Sequence, residues 1–170
     1  YVANIDYVNN YFICPTSYLP YAADMEFFGR PLETPKTIDV CLVGSDRPER
    51  RELISNIKYH TGINAQLICG VFKEDYINAL AASRIVVNDV AGGGANLLSM
   101  RAFEAPAAGA MLLQAFTPAL RDVFEVGICC ETFNSEDALT KQISYYIRED
   151  EQRKRIANNG QYWIANQHTY

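Results

Sequence analysis

From residue 38 onward, short apolar runs alternate with longer segments of helical character, and this alternation constrains the fold more than any other feature. Strands that alternate with helices along a chain predict a parallel sheet with helices on its faces. The strand candidates are residues 38–43, 65–69, 85–88, 110–113 and 127–130. All but the last are apolar without polar alternation, which predicts strands covered on both faces. We therefore expect an α/β fold, a Rossmann-like parallel sheet flanked by helices.

Helix signals fill the segments that follow these strands. The predicted helices span residues 48–59, 73–82, 97–107, 118–123, 136–148 and 151–167. Ser135 can cap a helix that has Glu136 and Asp137 in its first turn. Pro118 suits a first helical position, where the backbone N–H has no partner within the helix. The helix signals thus support the parallel arrangement.

Residues 1–36 do not follow this pattern. The stretch is rich in aromatic residues and Asn, and four of the seven prolines lie between residues 11 and 36. Such a composition predicts an interdomain linker or an extended wrapping segment, not a further strand and helix. Residues 37–170 then form one domain of ordinary size. Because both ends of the chain fall abruptly in structured-looking sequence, we expect it to be a piece of a longer protein.

Composition argues against several classes of function. The net charge is −5 and Lys and Arg form no block, so no nucleic-acid partner is expected. No apolar run approaches the roughly 20 residues of a membrane-spanning helix, and we expect no transmembrane segment and no signal peptide. The five cysteines form no C-x-x-C pair, which predicts reduced thiols in a cytoplasmic protein. Neither His60 nor His168 has a neighbour at ligand spacing, so no metal is expected.

Glu104 is the strongest candidate for a functional residue. It lies in the predicted helix 97–107, which follows a glycine turn at 92–94 and precedes an apolar strand. A lone carboxylate in so apolar a helix is costly to bury unless it is hydrogen-bonded. The two ribose hydroxyls of a nucleotide would satisfy it, while backbone N–H groups at the helix N-terminus would face a diphosphate. A solvated surface carboxylate is the alternative.

Ligands of open α/β sheets bind beyond the carboxyl ends of the strands, near the point where the strand order reverses. Three predicted loops lie at this edge, at residues 44–49, 89–96 and 114–117. Ser45 belongs to the first loop, which a diphosphate can reach. Gly93 and Gly94 belong to the second, where glycine allows close backbone approach to a phosphate or a sugar. A generic turn is the alternative for these glycines.

Four arginines are candidate cations for a diphosphate, because the guanidinium fork can neutralise phosphate oxygens bidentately. They are Arg47, Arg50, Arg51 and Arg101. Solvation at the surface is the alternative for each of them. Arg101 lies three residues before Glu104, so these two side chains could instead form an ion pair on one helix face.

Several segments resemble, in order along the chain, the donor-binding half of nucleotide-sugar glycosyltransferases of the GT-B architecture. Residues 101–110 match the pattern R-x-F-E-A-x-A-x-G-A, which carries the ribose-binding Glu of that family. Residues 38–45 are similar to its first strand, and residues 18–24 to the L-P-x-x-x-D segment before the donor domain. Residues 157–170 look like its closing A-x-x-G and H-T-Y elements. The nearest group is the family-1-like glycosyltransferases of the spore-maturation type.

The resemblance implies the C-terminal half of a two-domain enzyme. In this family the N-terminal domain, which would be absent from this chain, binds the acceptor, and the C-terminal domain binds a nucleotide-diphosphate sugar. Together with the loops described above, this gives as candidate substrate-binding residues Glu104, Asn96, Arg101, Gly93, Gly94, Ser45, Arg47 and Arg51. No catalytic residue is assigned, because a base would lie in the missing half. No cofactor is expected beside the nucleotide-sugar substrate.

Two positions depart from the family pattern. Asn96 stands where retaining members have a further Glu that faces the donor sugar, and Asn is also a favoured N-cap. Pro106 replaces a small residue and predicts a kink or an early end of the helix. These departures leave open a degenerate, non-catalytic GT-B module in assembly or partner binding. A flavodoxin-like receiver is a third alternative, since Asp89 ends the third strand, although Gly44 and Ser45 do not supply the acidic pair that a receiver has after its first strand.

Overall fold

The described residues form a five-stranded parallel sheet. The computed structural model of this 170-residue chain describes residues 21–89 and 98–169. The strands are β1 (Ile38–Val43), β2 (Ala65–Ile68), β3 (Ser83–Asn88), β4 (Met111–Ala115) and β5 (Glu131–Phe133). Their order is β2-β1-β3-β4-β5, and every neighbouring pair is parallel. The strand order reverses between β1 and β3, so the topological switch point lies there. The predicted fold class is confirmed.

Helices cover both faces of the sheet. They are α1 (Met25–Phe28), α2 (Pro48–Thr61), α3 (Lys73–Ala81), α4 (Arg101–Ala107), α5 (Glu136–Arg148) and α6 (Asp150–Gln167), with a short 3-10 helix at Pro118–Leu120. The predicted cap of α5 is present, because the Ser135 hydroxyl accepts a hydrogen bond from the backbone N–H of Ala138 at 3.2 Å. Among the helices of the described ranges, none is long and apolar enough to cross a membrane.

Successive strand residues pack into two separate apolar cores. On one face of the sheet, Leu42 of β1 joins the core beneath α2 and α5. On the other face, the adjacent Val43 joins the core beneath α3 and α4. Helix α6 serves both cores, with Ile156 in the first and Ile164 in the second. Strands β1, β3 and β4 are therefore covered on both faces, as their uninterrupted apolar sequence predicts.

The strand predicted at residues 127–130 is wrong in position. This segment is a turn, in which the N–H of Gly127 donates to the carbonyl of Cys130 and the N–H of Cys129 donates to the carbonyl of Glu125. The strand comes directly afterwards, as β5. A short apolar run alone does not distinguish a strand from a packed turn, and here the turn satisfies the backbone polar groups.

Helix α4 begins at Arg101, four residues later than predicted. Met100 occupies its N-cap position and makes no side-chain cap. Asn96, considered from the sequence as a possible N-cap, lies outside the described residues. Pro106 lies in the last turn, and the seven-residue helix ends at Ala107. The helix predicted after β4 is reduced to the three-residue 3-10 helix.

The described part of the N-terminal segment, residues 21–36, packs along the domain. Helix α1 contacts α4, and the backbone N–H of Ala23 donates to the carbonyl of His168. At the other end of the segment, the Lys36 ammonium donates to the carbonyl of Ala81 at 2.7 Å and to that of Gly109 at 2.8 Å. Ala81 is the last residue of α3, and Gly109 lies two residues after α4, so Lys36 joins the C-terminal ends of two helices.

Candidate functional site

A largely buried ion pair lies at the switch point between β1 and β3. Arg50, in the first turn of α2, donates from Nε to Asp89 Oδ2 at 2.7 Å and from Nη2 to Asp89 Oδ1 at 2.8 Å. Its third nitrogen, Nη1, donates to the carbonyl oxygen of Ser45 at 3.1 Å and to the Ser45 hydroxyl at 3.0 Å. This bidentate pair therefore fixes the loop after β1 to the end of β3.

Arg101 lies beside this pair. Its Nη1 donates to Asn88 Oδ1 at 2.5 Å and lies 3.8 Å from Asp89 Oδ1. Its Nε is buried and has no hydrogen-bond partner among the described residues. The loop after β1 has no room for a side chain at Gly44, because a Cβ there would lie 2.6 Å from Arg50 Nη1 and 2.9 Å from Arg101 Nη2. Glycine at position 44 thus gives two guanidinium groups room beside the backbone.

Buried amides connect this cluster to β4. Asn88 Nδ2 donates to Gln114 Oε1 at 2.6 Å and to the Ser99 hydroxyl at 3.0 Å. The Gln114 amide in turn donates to the carbonyl of Ala115 at 3.0 Å. A buried amide that makes several hydrogen bonds is held in one orientation. The oxygen that Asn88 presents to Arg101 is therefore fixed from the neighbouring strand.

Glu104 lies one turn after Arg101 and is buried. Tyr76 of α3 donates its hydroxyl to Glu104 Oε2 at 2.5 Å, and its ring packs edge-to-face against Phe28 of α1. Glu104 Oε1 has no hydrogen-bond partner within the described part of the chain. Burial raises the pKa of Glu104, while the Tyr76 hydroxyl and the charge of Arg101 act in the opposite direction. Burial and the neighbouring carboxylate raise the pKa of Tyr76, so this hydroxyl keeps its proton and acts as a donor.

The arrangement combines one carboxylate acceptor with one incompletely paired cation. The charge of Arg50 is matched by both oxygens of Asp89, whereas Arg101 meets Asp89 only at 3.8 Å. Arg101 is therefore the guanidinium that retains donors for an anion. Glu104 presents an acceptor oxygen one helical turn away. A ligand with both hydroxyls and a diphosphate matches this pair of groups.

Three of the predicted site residues are brought together at the switch point. Ser45 is joined to Arg101 through the Arg50–Asp89 pair, and Glu104 follows Arg101 on the same helix. The ion pair considered between Arg101 and Glu104 is not found, because the ion-pair partner of Arg101 is Asp89.

The other predicted residues lie elsewhere. Arg47 is exposed at the N-cap position of α2, and Arg51 is exposed and paired with Asp46 at 2.6 and 2.5 Å. Neither belongs to the buried cluster. Three predicted residues lie outside the described part of the chain: Gly93, Gly94 and Asn96.

Sequence reasoning missed Tyr76, Asn88 and Gln114. Asn88 and Gln114 had a local signal, because each is a polar residue near the carboxyl end of a strand that is otherwise apolar. Tyr76 had none, since an aromatic residue inside an amphipathic helix is ordinarily a core residue. Its hydrogen bond to Glu104 depends on how α3 packs beside α4.

Comparison with known proteins identifies the family. The family model described as Glycosyl transferase-like matches residues 24–170, and the chain therefore belongs to this family. No curated protein sequence matches the chain. Membership of this family also shows that the receiver alternative built on Asp89 is wrong, and both oxygens of Asp89 are bonded to Arg50.

Solved glycosyltransferases of the GT-B architecture share the fold. HepE of Anabaena, solved with UDP and glucose, is 11% identical with a TM-score of 0.68, over 87% of this chain and 52% of HepE. The C-terminal domain of LpcC, a group 1 family protein of Francisella tularensis, is 14% identical with a TM-score of 0.65, over 87% of this chain and 99% of that domain. Sucrose-phosphate synthase of Thermosynechococcus elongatus is 12% identical with a TM-score of 0.62, over 88% of this chain and 48% of the synthase. The chain thus spans about half the length of HepE and has the fold of a C-terminal GT-B domain.

Proposed function

We propose that this chain is the donor domain of a glycosyltransferase, which binds a nucleotide-diphosphate sugar for transfer of the glycosyl group to an acceptor. The observation that carries the proposal is the buried carboxylate of Glu104, with one oxygen held by Tyr76 and the other without a described partner. The second oxygen of a carboxylate in this setting can accept hydrogen bonds from the donors of a ligand. The vicinal hydroxyls of a ribose are donors of the required kind.

Arg101 would bind the diphosphate. Its buried Nε lacks a partner among the described residues, and its pairing with Asp89 is long, so a phosphate oxygen can compete for it. When the glycosyl bond breaks, negative charge develops on the departing nucleotide diphosphate. A fixed guanidinium stabilises that charge in the transition state more than in the ground state, which is how it accelerates transfer. The Asn88 amide oxygen orients the guanidinium for this role.

The reaction would be divided between two domains. HepE, about half of which this chain spans, has been solved with UDP-glucose, which supports a nucleotide-sugar donor here as well. An N-terminal acceptor domain would complete the cleft at the carboxyl edge of the sheet and supply any catalytic base. Nucleotide binding is therefore the activity that this chain's own residues would carry.

The second candidate is a non-catalytic module of the same fold. It is favoured by the replacement at Asn96 of the Glu that faces the donor sugar in retaining relatives. Such a module would take part in assembly or partner binding and would have no need of the Glu104 carboxylate. Nucleotide binding separates it from the donor domain.

The test is a thermal shift with UDP, GDP, ADP and their glucose conjugates. A ligand at about 100 times its Kd stabilises by roughly 2.7 kcal/mol, which raises the Tm of a chain of this size by about 5 °C or more. Glu104→Gln removes the charge but leaves an amide oxygen for Tyr76, and it should weaken binding about tenfold or more. Glu52→Gln, an exposed change on α2, is the matched control. Stabilisation by no member of the panel would refute the donor-domain proposal and favour the non-catalytic module.

A further inference from the structure

A second cavity opens at the carboxyl ends of β4 and β5, one strand away from the Arg101 cluster. Its volume is about 400 Å³, within the range of small-molecule sites. The wall comes from Phe116 after β4, from Thr132 and Phe133 of β5, and from Gln142 of α5. Neither Glu104 nor any residue of the Arg50, Asp89 and Arg101 cluster lines it. It lies beside the loop at 114–117, which sequence reasoning placed at the ligand-binding edge.

Two polar atoms in the wall of this cavity lack partners. Thr132 Oγ1 and Gln142 Oε1 are buried and make no hydrogen bond in the described part of the chain. The orientation of the Gln142 amide is fixed, because its nitrogen donates to the carbonyl of Thr132 at 3.0 Å. The free atom is therefore the oxygen, an acceptor. Buried polar atoms are ordinarily satisfied, so these two atoms mark a place where a hydroxyl-bearing molecule fits.

The rest of the described wall consists mainly of aromatic rings, a neutral amide and one cation, Arg121. Phe116 is 44% exposed, and the Arg121 guanidinium lies over its ring at 5.3 Å from the centroid. Phe133 is half-buried, and Asn134 adds a second neutral amide at the rim. Aromatic faces pack against the apolar C–H face of a pyranose ring, while amides and a hydroxyl bind its hydroxyls. A multiply charged anion is not favoured, because the described wall holds only one cation, Arg121.

We propose that this cavity binds a neutral pyranose unit of the acceptor glycan, beyond the part of the acceptor that the N-terminal domain would hold across the cleft. The proposal rests on the proposed function, since an acceptor is expected only if the chain takes part in glycosyl transfer. Its position supports an acceptor because β4 joins the two sites. Gln114 of β4 bonds to Asn88 in the Arg101 cluster, and Phe116 lies two residues further along the chain. A saccharide held in the cavity thus lies at the same edge of the sheet as the nucleotide.

The experiment is an NMR titration of isotope-labelled protein with methyl glucoside, methyl galactoside, methyl mannoside and lactose, each with and without the nucleotide selected by thermal shift. Binding should perturb the amide signals of residues 116, 132–134 and 142. Phe116→Ala should weaken it about tenfold, since an aromatic face is lost. Tyr162→Ala, which removes a 71% exposed aromatic ring from α6, is the matched control and should leave the affinity unchanged.

Thr132→Val supplies a second, independent readout. If the Thr132 hydroxyl has no partner, its removal leaves the saccharide-free protein as stable as the wild type or more stable. The same change should weaken saccharide binding about three- to tenfold, because one hydrogen bond to the ligand is lost. A less stable Thr132→Val protein would overturn the proposal, since the hydroxyl would then have a structural partner.

The remaining outcomes separate this proposal from the proposed function. Saccharide binding that Phe116→Ala and Thr132→Val both weaken, with nucleotide thermal shifts unchanged, supports the acceptor site. Nucleotide binding without saccharide binding at this cavity overturns the acceptor site and leaves the donor domain standing. Saccharide binding that neither variant weakens also overturns it, because the sugar then binds elsewhere. Saccharide binding at the cavity without nucleotide binding overturns the acceptor role, since the donor domain on which it rests has failed.

Discussion

The substitution Gly160→Ala has two opposing effects on stability: it improves helix propensity, and it worsens packing. Gly160 lies in the interior of α6, where alanine is favoured over glycine by about 1 kcal/mol. A Cβ at this position would lie 2.6 Å from the carbonyl oxygen of Cys129 and 3.3 Å from the Cβ of Pro106 in α4. The first contact is with backbone, which cannot move aside by a rotamer change. Either α6 or the turn at Cys129 must therefore shift.

Overpacking of this kind costs about 1–3 kcal/mol. Subtracting the gain in propensity leaves a net loss of about 0–2 kcal/mol in the free energy of unfolding, and the middle of that range corresponds to a fall in Tm of about 2–4 °C. Urea denaturation measures the change, provided that the m-value is unaltered. Asn158→Ala, an exposed change on the same helix, is the control and should stabilise by about 0.5 kcal/mol. If Gly160→Ala were instead more stable than the wild type by about 1 kcal/mol, the full gain in propensity, the close approach of α6 to the Cys129 turn would not constrain this position.

Three further predictions concern titratable groups. Burial lowers the pKa of Lys36 to about 8 in the folded state, so the unfolded chain binds more protons above that pH. The free energy of unfolding should therefore rise between about pH 8 and 10.5. Denaturation of Lys36→Met, which should lack this rise, tests the prediction against the wild type. The raised pKa of Glu104 favours its protonated form in the folded state, so stability is lost as pH rises above the ordinary pKa of 4.5. Glu104→Gln should therefore have a higher Tm than the wild type at pH 7, and the difference should disappear near pH 4. A lower Tm of Glu104→Gln at pH 7 would contradict this. The exposed thiol of Cys69 should react rapidly with a thiol reagent. Burial raises the pKa of Cys41 to about 11 and that of Cys130 to about 12, so these two thiols should react only on unfolding. Cys69→Ser should therefore lose a fast phase of the thiol reaction.

The sheet could be predicted because its strands carry their own signal. β1 occupies the predicted residues 38–43, and α5 the predicted residues 136–148, since an apolar run and a capped amphipathic segment are both local patterns. β5 could not be predicted in the same way. It is short and half-buried, and the turn before it, at residues 127–130, is more apolar, so the sequence predicts the strand there instead. What selects β5 is its pairing with β4, which is a long-range property.

Of the candidate site, the sequence indicates Glu104 and only part of its surroundings. A carboxylate in an apolar helix is visible in the sequence, and so is the loop that contains Ser45. The donor that holds Glu104 is Tyr76, 28 residues earlier, and that contact depends on the packing of α3 against α4. The arginines show the same limit. Arg50 and Arg51 are adjacent in the sequence, yet Arg50 pairs with Asp89 at the switch point and Arg51 pairs with the exposed Asp46.

The pairing of Arg50 with Asp89 has an evolutionary consequence. Because this bidentate pair is largely buried, replacing one member alone leaves an uncompensated charge and costs about 3–5 kcal/mol. Replacing both by apolar residues of similar volume can be close to neutral for stability. Sequence change at the two positions is therefore expected to be correlated among relatives, although 39 residues separate them in the chain. Such co-variation would reflect a requirement of folding at the switch point. Variation at Arg101 would instead follow the ligand, if Arg101 binds the diphosphate as proposed.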